Sequence, residues 1–339
     1  MNAVERQLKD TLIDYCAKIG TDPLLVQGAG GNASWKDGDT LWVKASGTWL
    51  ANAATADIFV PVDLDHLCNA LQREDFSVTP KLNMPSGLKP SIETLLHALM
   101  PHPVVIHLHP VEVLAHLVRG NCQPAFESLI APSLPWTIVD YCKPGATLAA
   151  AVRAALIQKP TATVVFLKNH GVVIGGADVA QVSQTLDQLT SALKTVPVET
   201  DTSAPESTAL LDDRYTSIAD HEIQQLALNE WLFKRLSSDW ALYPDHVVFL
   251  GPRAHVFRSV AAFQQAGNAA TEPPDLVFIY RQGVYVRQTF SHAQRAQLRC
   301  YYDVVSRQPS DAPIRSLTNQ DVSELLNWDA ERYRMMLRN

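Results

Sequence analysis

The sequence predicts a mixed α/β chain, and three observations carry that expectation. Helical and strand periodicities alternate along the 339 residues, turns rich in Gly and Pro separate them, and 47% of residues are apolar against 19% charged. That is enough apolar material for one large domain or two smaller ones. The formal charge of −7 comes without a Lys/Arg cluster able to neutralise a phosphate backbone, so no nucleic-acid partner is expected. Five cysteines, at 16, 68, 122, 142 and 300, are odd in number and form no Cys-x-x-Cys pair. This argues against a disulfide framework or a thiolate zinc site, and for buried thiols in a reducing compartment. The N-terminus is polar with mixed charge, and nowhere do about 18 apolar residues run together. Neither a signal peptide nor a membrane span is expected, and the cytoplasm is the expected location.

Val4, Leu8, Leu12, Tyr15, Cys16 and Ile19 recur at helical spacing with Gly20 as the stop, so an amphipathic helix opens the chain. Leu24 to Gln27 reads as a short strand, Gly28 to Ser34 as a flexible glycine turn, and Thr40 to Lys44 as another strand. From Pro90 the pattern is helical through Met100, with Glu93 and His97 one turn apart on a shared face. Val104 to His109 is then a strand, and Pro110 suits the start of a helix carrying Val111, Leu114 and Leu117. Thr163 to Leu167 is a buried-type strand leading into Lys168-Asn169-His170-Gly171, and Val172 to Ile174 continues extended. Asp178 can cap a helix whose inner stripe is Val179, Val182, Leu186, Leu189 and Leu193. Residues 196–209 turn to Thr, Ser, Pro and Glu and are expected to link residues 1–195 to residues 210–339. Beyond lie a helix near Ile218 to Leu236, a strand His246 to Leu250, a hairpin Leu276 to Val286, a helix from Ser291 and a last helix after Thr318.

Period-two geometry sends Val104, Ile106 and Leu108 to one face of their strand and Val105, His107 and His109 to the other. Two imidazoles on one face are either satisfied core side chains or a pair of metal ligands. His170, in a turn at a strand end, can complete three corners of a tetrahedral site and leave the fourth for a substrate oxygen. Glu93 is either a first-turn acid favoured by the helix dipole or a general base beside that metal, with His97 as its support. Gly28-x-Gly30-x-x-Ala33 formally matches a dinucleotide fingerprint, but Ser34 to Asp39 reads as a turn between strands where the fingerprint demands a helix. The glycine segment is therefore an anion cradle, with Asn32, Ser34, Lys44, Ser46 and Gly47 around it, or a tight hairpin with no ligand.

Gly31-Asn32-Ala33-Ser34, Ala45-Ser46-Gly47, Pro90-Ser91-Ile92-Glu93, His107-Leu108-His109-Pro110 and Asn169-His170-Gly171 stand in the order of the motifs of the class II aldolase/adducin family, which residues 1–195 resemble. The resemblance implies a three-layer α/β/α sandwich around a central, mainly antiparallel sheet, here with residues 210–339 as a C-terminal α/β lobe. It also implies a homo-oligomer, usually a tetramer, acting on a small carbohydrate-like substrate. By motif position it makes His107, His109 and His170 the metal ligands, Glu93 the catalytic acid/base, and Gly31, Asn32, Ser46, Gly47 and Ser91 the substrate-binding residues. The expected metal is zinc, with manganese, cobalt or iron as alternatives for a His-rich site. The expected reaction is aldol cleavage or formation of a ketose or ketose phosphate through a zinc-stabilised enediolate. Decarboxylation or 4-epimerisation of a sugar acid or sugar phosphate on the same metal, and a non-catalytic adducin-like scaffold, are the alternatives. Ala29 and Ile92 stand where sugar-phosphate aldolases of the family carry hydroxyl residues, which weakens the expectation of a phosphate and leaves Lys44, Lys89 or Lys168 to compensate. The C-terminal part resembles more weakly the aldolase half of bifunctional rhamnulose phosphate aldolase/dehydrogenase proteins. Its Tyr243, Tyr280 and Tyr285 are candidate proton donors.

Overall fold

A computed structural model describes residues 3–199, 211, 213–267, 273–310 and 312–328. The opening helix α1 (Ala3–Gly20) buries Leu12, Cys16 and Ile19, one turn or two apart, as an amphipathic stripe must. Strands β1 (Asn32–Asp37), β2 (Thr40–Lys44) and β3 (Phe59–Asp63) form a meander, followed by α2 (Leu64–Gln72) and α3 (Thr94–Leu99). Next come β4 (Val104–Leu108), α4 (Val111–Leu117), α5 (Gln123–Leu129), β5 (Trp136–Val139) and α6 (Ala146–Gln158). The hairpin β6 (Val164–Leu167) and β7 (Gly171–Gly176) leads to α7 (Val179–Ala192), which Asp178 caps by accepting from the Gln181 amide at 2.8 Å. The strands make one sheet in the order β3-β2-β1-β4-β7-β6-β5, antiparallel at every pairing except β5 with β6.

Strand alternation divides the core into two layers. Ala33, Trp35, Val104, Ile106, Leu108, Val172 and Ile174 meet α1, α4 and α7 on one face. Leu41, Val43, Val60 and Val62 meet α2 and α3 on the other face, where Val105, Val165 and Val173 meet α3 and α6. This is the three-layer α/β/α sandwich with a mainly antiparallel sheet.

The C-terminal part holds β8 (Tyr215–Ser217), α8 (His221–Leu228), α9 (Glu230–Ser238), α10 (Pro244–Leu250), β9 (Val256–Phe257) and α11 (Val260–Gly267). The hairpin β10 (Leu276–Ile279) and β11 (Gly283–Arg287) precedes α12 (His292–Ser306) and α13 (Asn319–Leu326), and the second sheet runs β8-β11-β10-β9. Its core takes in Val111, Leu114 and Val118, so α4 is packed from both sides. Glu112 pairs with Arg307 at 3.3 Å, and Arg119 and Ala115 bond Gln308, which fastens α12 to α4.

Several elements differ from the sequence expectation. Leu24 to Gln27 is a turn, because Asp22 accepts from the Leu24 amide at 2.9 Å and starts an Asx turn before Pro23. Asn32–Asp37 is a strand and only Gly38-Asp39 turns. The helix expected from Pro90 starts at Thr94, since the backbone at Lys89 and Ser91 instead bonds Ser46 and Lys44. Ile218 to Leu236 is two helices, broken at Asn229, which caps α9 by accepting from Trp231 at 2.9 Å. His246 to Leu250 is helical, initiated by Pro244 at its first turn. The helices after Ser291 and Thr318 carry capping boxes at those residues. Of the expected linker, residues 200–209 lie outside the described residues.

Candidate active site and metal centre

Five sequence segments converge at one end of the central strands. Antiparallel pairing sets Asn32 of β1 opposite His107 of β4, so the two side chains share a face. The turn joining β6 to β7 returns His170 beside them, held by its amide bonding Leu167 O at 3.1 Å. Gly171 is required there by close approach: a Cβ would stand 2.5 Å from Leu108 O and 2.6 Å from His109 Cδ2. On the other flank the Ser46 amide donates to Lys89 O at 2.8 Å and the Ser91 amide to Lys44 O at 3.2 Å. This splices the segment before α3 onto the end of β2. Glu93 then falls at the start of α3, its amide donating to Ser91 Oγ at 3.2 Å, and its carboxylate is free to turn inward because it makes no capping bond.

The three imidazoles are buried, and one nitrogen from each lies within 4.8 Å of the others. His107 Nδ1 stands 3.1 Å from Val172 O, which can only accept, so Nδ1 carries the proton and Nε2 presents a lone pair. That lone pair faces His109 Nε2 at 3.1 Å. Burial, aided by His109 and His170 and opposed by Glu93, pushes the His107 pKa down to about 3, so the ring is neutral. Three imidazoles with a nitrogen apiece gathered at one point are the donor set a zinc-like divalent ion takes.

Glu93 touches two of the three rings, Oε2 at 3.4 Å from His107 Nε2 and Oε1 at 3.1 Å from His170 Nε2, while Asn32 Nδ2 donates to Oε2 at 2.9 Å. Burial disfavours charge on Glu93, but the charge of His107 once it is protonated at low pH and the hydrogen bond with His170 outweigh it and hold the carboxyl below its ordinary range.

Gly31, Asn32, Ser46, Gly47, Ser91 and Glu93 line a single cleft together with His109 and His170. Ala29 and Ile92 line it too, so the two positions expected to lack hydroxyls present hydrocarbon to the cleft. Of the three lysines only Lys44 reaches it, its Nζ bonding Ala29 O at 3.1 Å and Thr48 O at 2.6 Å; Lys168 instead pairs with Asp140. Ser34 does not join the cradle, because its hydroxyl bonds His97 Nδ1 at 2.7 Å beneath the sheet. None of Tyr243, Tyr280 and Tyr285 is among the lining residues: the first and last are core side chains, and Tyr280 packs on Phe233. The cleft wall that sequence reasoning missed comes from the C-terminal part, Pro244 and Asp245, the latter 3.5 Å from His109 Nδ1. An acid in the first turn of a short helix, far downstream of the histidines, carries no ligand spacing by which to find it.

Known proteins match the N-terminal part of the chain. The profile of the class II aldolase and adducin N-terminal domain matches residues 10–196. A curated relative, Uncharacterized oxidoreductase YuxG of Bacillus subtilis (strain 168), is 29% identical over 174 residues, 47% of this chain and 25% of its own. The chain thus spans about a quarter of that relative's length. Among solved structures, the N-terminal class II aldolase domain of a conserved protein from Thermoplasma acidophilum is 24% identical with a TM-score of 0.45, covering 53% of this chain and 89% of its own. A sugar-phosphate aldolase from Thermotoga maritima is 16% identical with a TM-score of 0.45, covering 56% and 94%. With more than half of its length matched to the family's profile, the chain belongs to the class II aldolase and adducin N-terminal domain family.

Proposed function

We propose that the chain is a metal-dependent carbon–carbon lyase, an aldolase acting on a ketose-like hydroxycarbonyl compound. The observation that carries this reading is the convergence of His107, His109 and His170 on one point, with Glu93 against two of the rings, at the wall of a cleft. His107, His109 and His170 would hold the ion, zinc by preference for three nitrogens. When bound, the ion supplies Lewis-acid polarisation of a substrate carbonyl. Glu93 moves the proton at the carbon beside that carbonyl, its Oε2 fixed by Asn32 so that the carboxylate does not drift when substrate enters. Gly31, Asn32, Ser46, Gly47 and Ser91 bind the substrate's polar end, with the Lys44 ammonium adding positive charge.

Ala29 and Ile92 favour a substrate whose end makes fewer hydrogen bonds than a phosphate offers, a carboxylate or a neutral ketose. Residues 1–195 are the catalytic domain and 210–339 a lobe that walls the cleft through Pro244 and Asp245. A homotetramer in a reducing, cytoplasmic setting fits the family and five cysteines with no disulfide among them. No helix among the described residues is long and apolar enough to cross a membrane.

The test is a screen of ketoses, ketose phosphates and sugar acids for product, with and without chelator. Chelator-sensitive release of aldehyde is expected. Carbon dioxide, or an epimer without free aldehyde, would replace the aldolase reading with decarboxylase or epimerase, and no turnover together with no metal uptake would leave a scaffold.

A further inference from the structure

We propose that Asp245 is a positioning residue that sets the His109 ring in its metal-ready tautomer, so that the C-terminal lobe helps to build the metal centre as well as walling it. The inference rests on reading the three histidines as the metal site. His109 has two ring nitrogens in contact with other groups: Nε2 lies 3.1 Å from His107 Nε2, and Nδ1 lies 3.5 Å from Asp245 Oδ2. Only one of them carries the proton in a neutral ring. His107 Nε2 is a lone pair, because Nδ1 of that ring donates to Val172 O. If His109 is protonated at Nδ1, the positive edge of the ring lies 3.5 Å from the carboxylate and its Nε2 lone pair joins that of His107, an arrangement completed by a shared cation. If it is protonated at Nε2, the ring instead bonds His107 and turns its Nδ1 lone pair toward an anion. A buried carboxylate at Nδ1 therefore disfavours the second tautomer and selects the first, the role that carboxylates beside ligating histidines play in general.

Two features leave room for this contact. Gly30 has no side chain where one would intrude: a Cβ there would stand 3.0 Å from Asp245 Oδ2 and 3.5 Å from His109 Nδ1. Across the ring's backbone, Gln27 Nε2 donates to His109 O at 3.3 Å, so main chain and ring are held by different partners. The lobe is in turn tied beside the site, Asn169 Nδ2 donating to Leu242 O at 2.8 Å, three residues before Asp245.

The experiment titrates the metal-free full-length chain with Co2+, reading the visible absorption of the bound ion, for the wild type, Asp245→Ala and Asp245→Asn. Thermal melting of each metal-free protein confirms that folding is equal. The expected result is that Asp245→Ala binds Co2+ about 10–100-fold more weakly with an altered spectrum, and that Asp245→Asn, which keeps an oxygen able to face Nδ1, recovers part of the loss. Wild-type affinity and spectrum in Asp245→Ala would overturn the inference. A wild-type chain that takes up no Co2+ would instead overturn the reading of the histidines themselves, and the two failures are distinguishable because only the first leaves binding intact.

Discussion

Glu93 shows how much one side chain's role depends on its neighbours. As a first-turn acid of α3 it would be expendable; with Asn32 on one oxygen and His170 on the other it is held against the cluster of three imidazoles. Glu93→Gln keeps the shape and the Asn32 contact but cannot take a proton, so kcat/KM is expected to fall about 10²- to 10⁴-fold while metal content stays at the wild-type level. Full activity in that variant would remove Glu93 from the chemistry. The His-x-His pair was legible because strand alternation alone decides which side chains share a face, and His170 because it sits in a turn at a strand end. Asp245 was not, since nothing local distinguishes it from any helix-initiating acid. That the three candidate tyrosines lie off the cleft lining was illegible for a related reason: whether an aromatic hydroxyl reaches a cleft or a core is a tertiary fact, and Tyr243 lies 1% exposed in the core beside α12.

The elements explain which parts of the site tolerate change. Strongly periodic segments such as α1, β4 and α7 emerged from their patterns. Short apolar runs did not: Val247, Val248 and Phe249 suit a strand or a buried helix equally, and the initiating Pro244 decides. β1 hid because Asn-Ala-Ser-Trp-Lys-Asp is mostly polar, its apolar face reduced to Ala33 and Trp35. The β6–β7 turn leaves no room for a side chain beside the histidines. In Gly171→Ala the new methyl meets Leu108 O and the His109 ring, so the variant should lose about 1–3 kcal/mol of stability, as overpacked sites do. It should also lose metal affinity, since the ring it displaces is one of the three proposed as ligands. Denaturant unfolding and metal titration on the same preparation check this, and wild-type values in both would contradict the packing described.

At the scale of the molecule, two sheets share α4, and the second part closes the cleft formed by the first. The three-layer sandwich was anticipated through the order of five motifs; the packing of the C-terminal part on α4 was not, because it depends on contacts such as Glu112 with Arg307 between distant stretches. The molecule also buries a histidine outside the site, His246, ringed by Trp240, Tyr243 and Tyr301. Burial pushes its pKa down to about 3. The unfolded chain protonates this side chain below about 6.5 and the folded chain does not, so the unfolded state binds more protons between pH 6.5 and 3 and stability falls as the pH falls through that window. At pH 5 the loss from His246 alone is roughly 2 kcal/mol. Denaturation at pH 7.5 and pH 5 should show a smaller difference in His246→Phe than in the wild type, and an equal difference would exclude this origin.

X-ray absorption at the zinc edge of the zinc-loaded chain shows whether the three imidazoles proposed as ligands hold one divalent ion. One zinc per chain is expected, bound by three imidazole nitrogens at about 2.0–2.1 Å, with loss of that signal in His107→Ala. A chain that binds no zinc, or binds it through sulfur or with His107 removed, would contradict it.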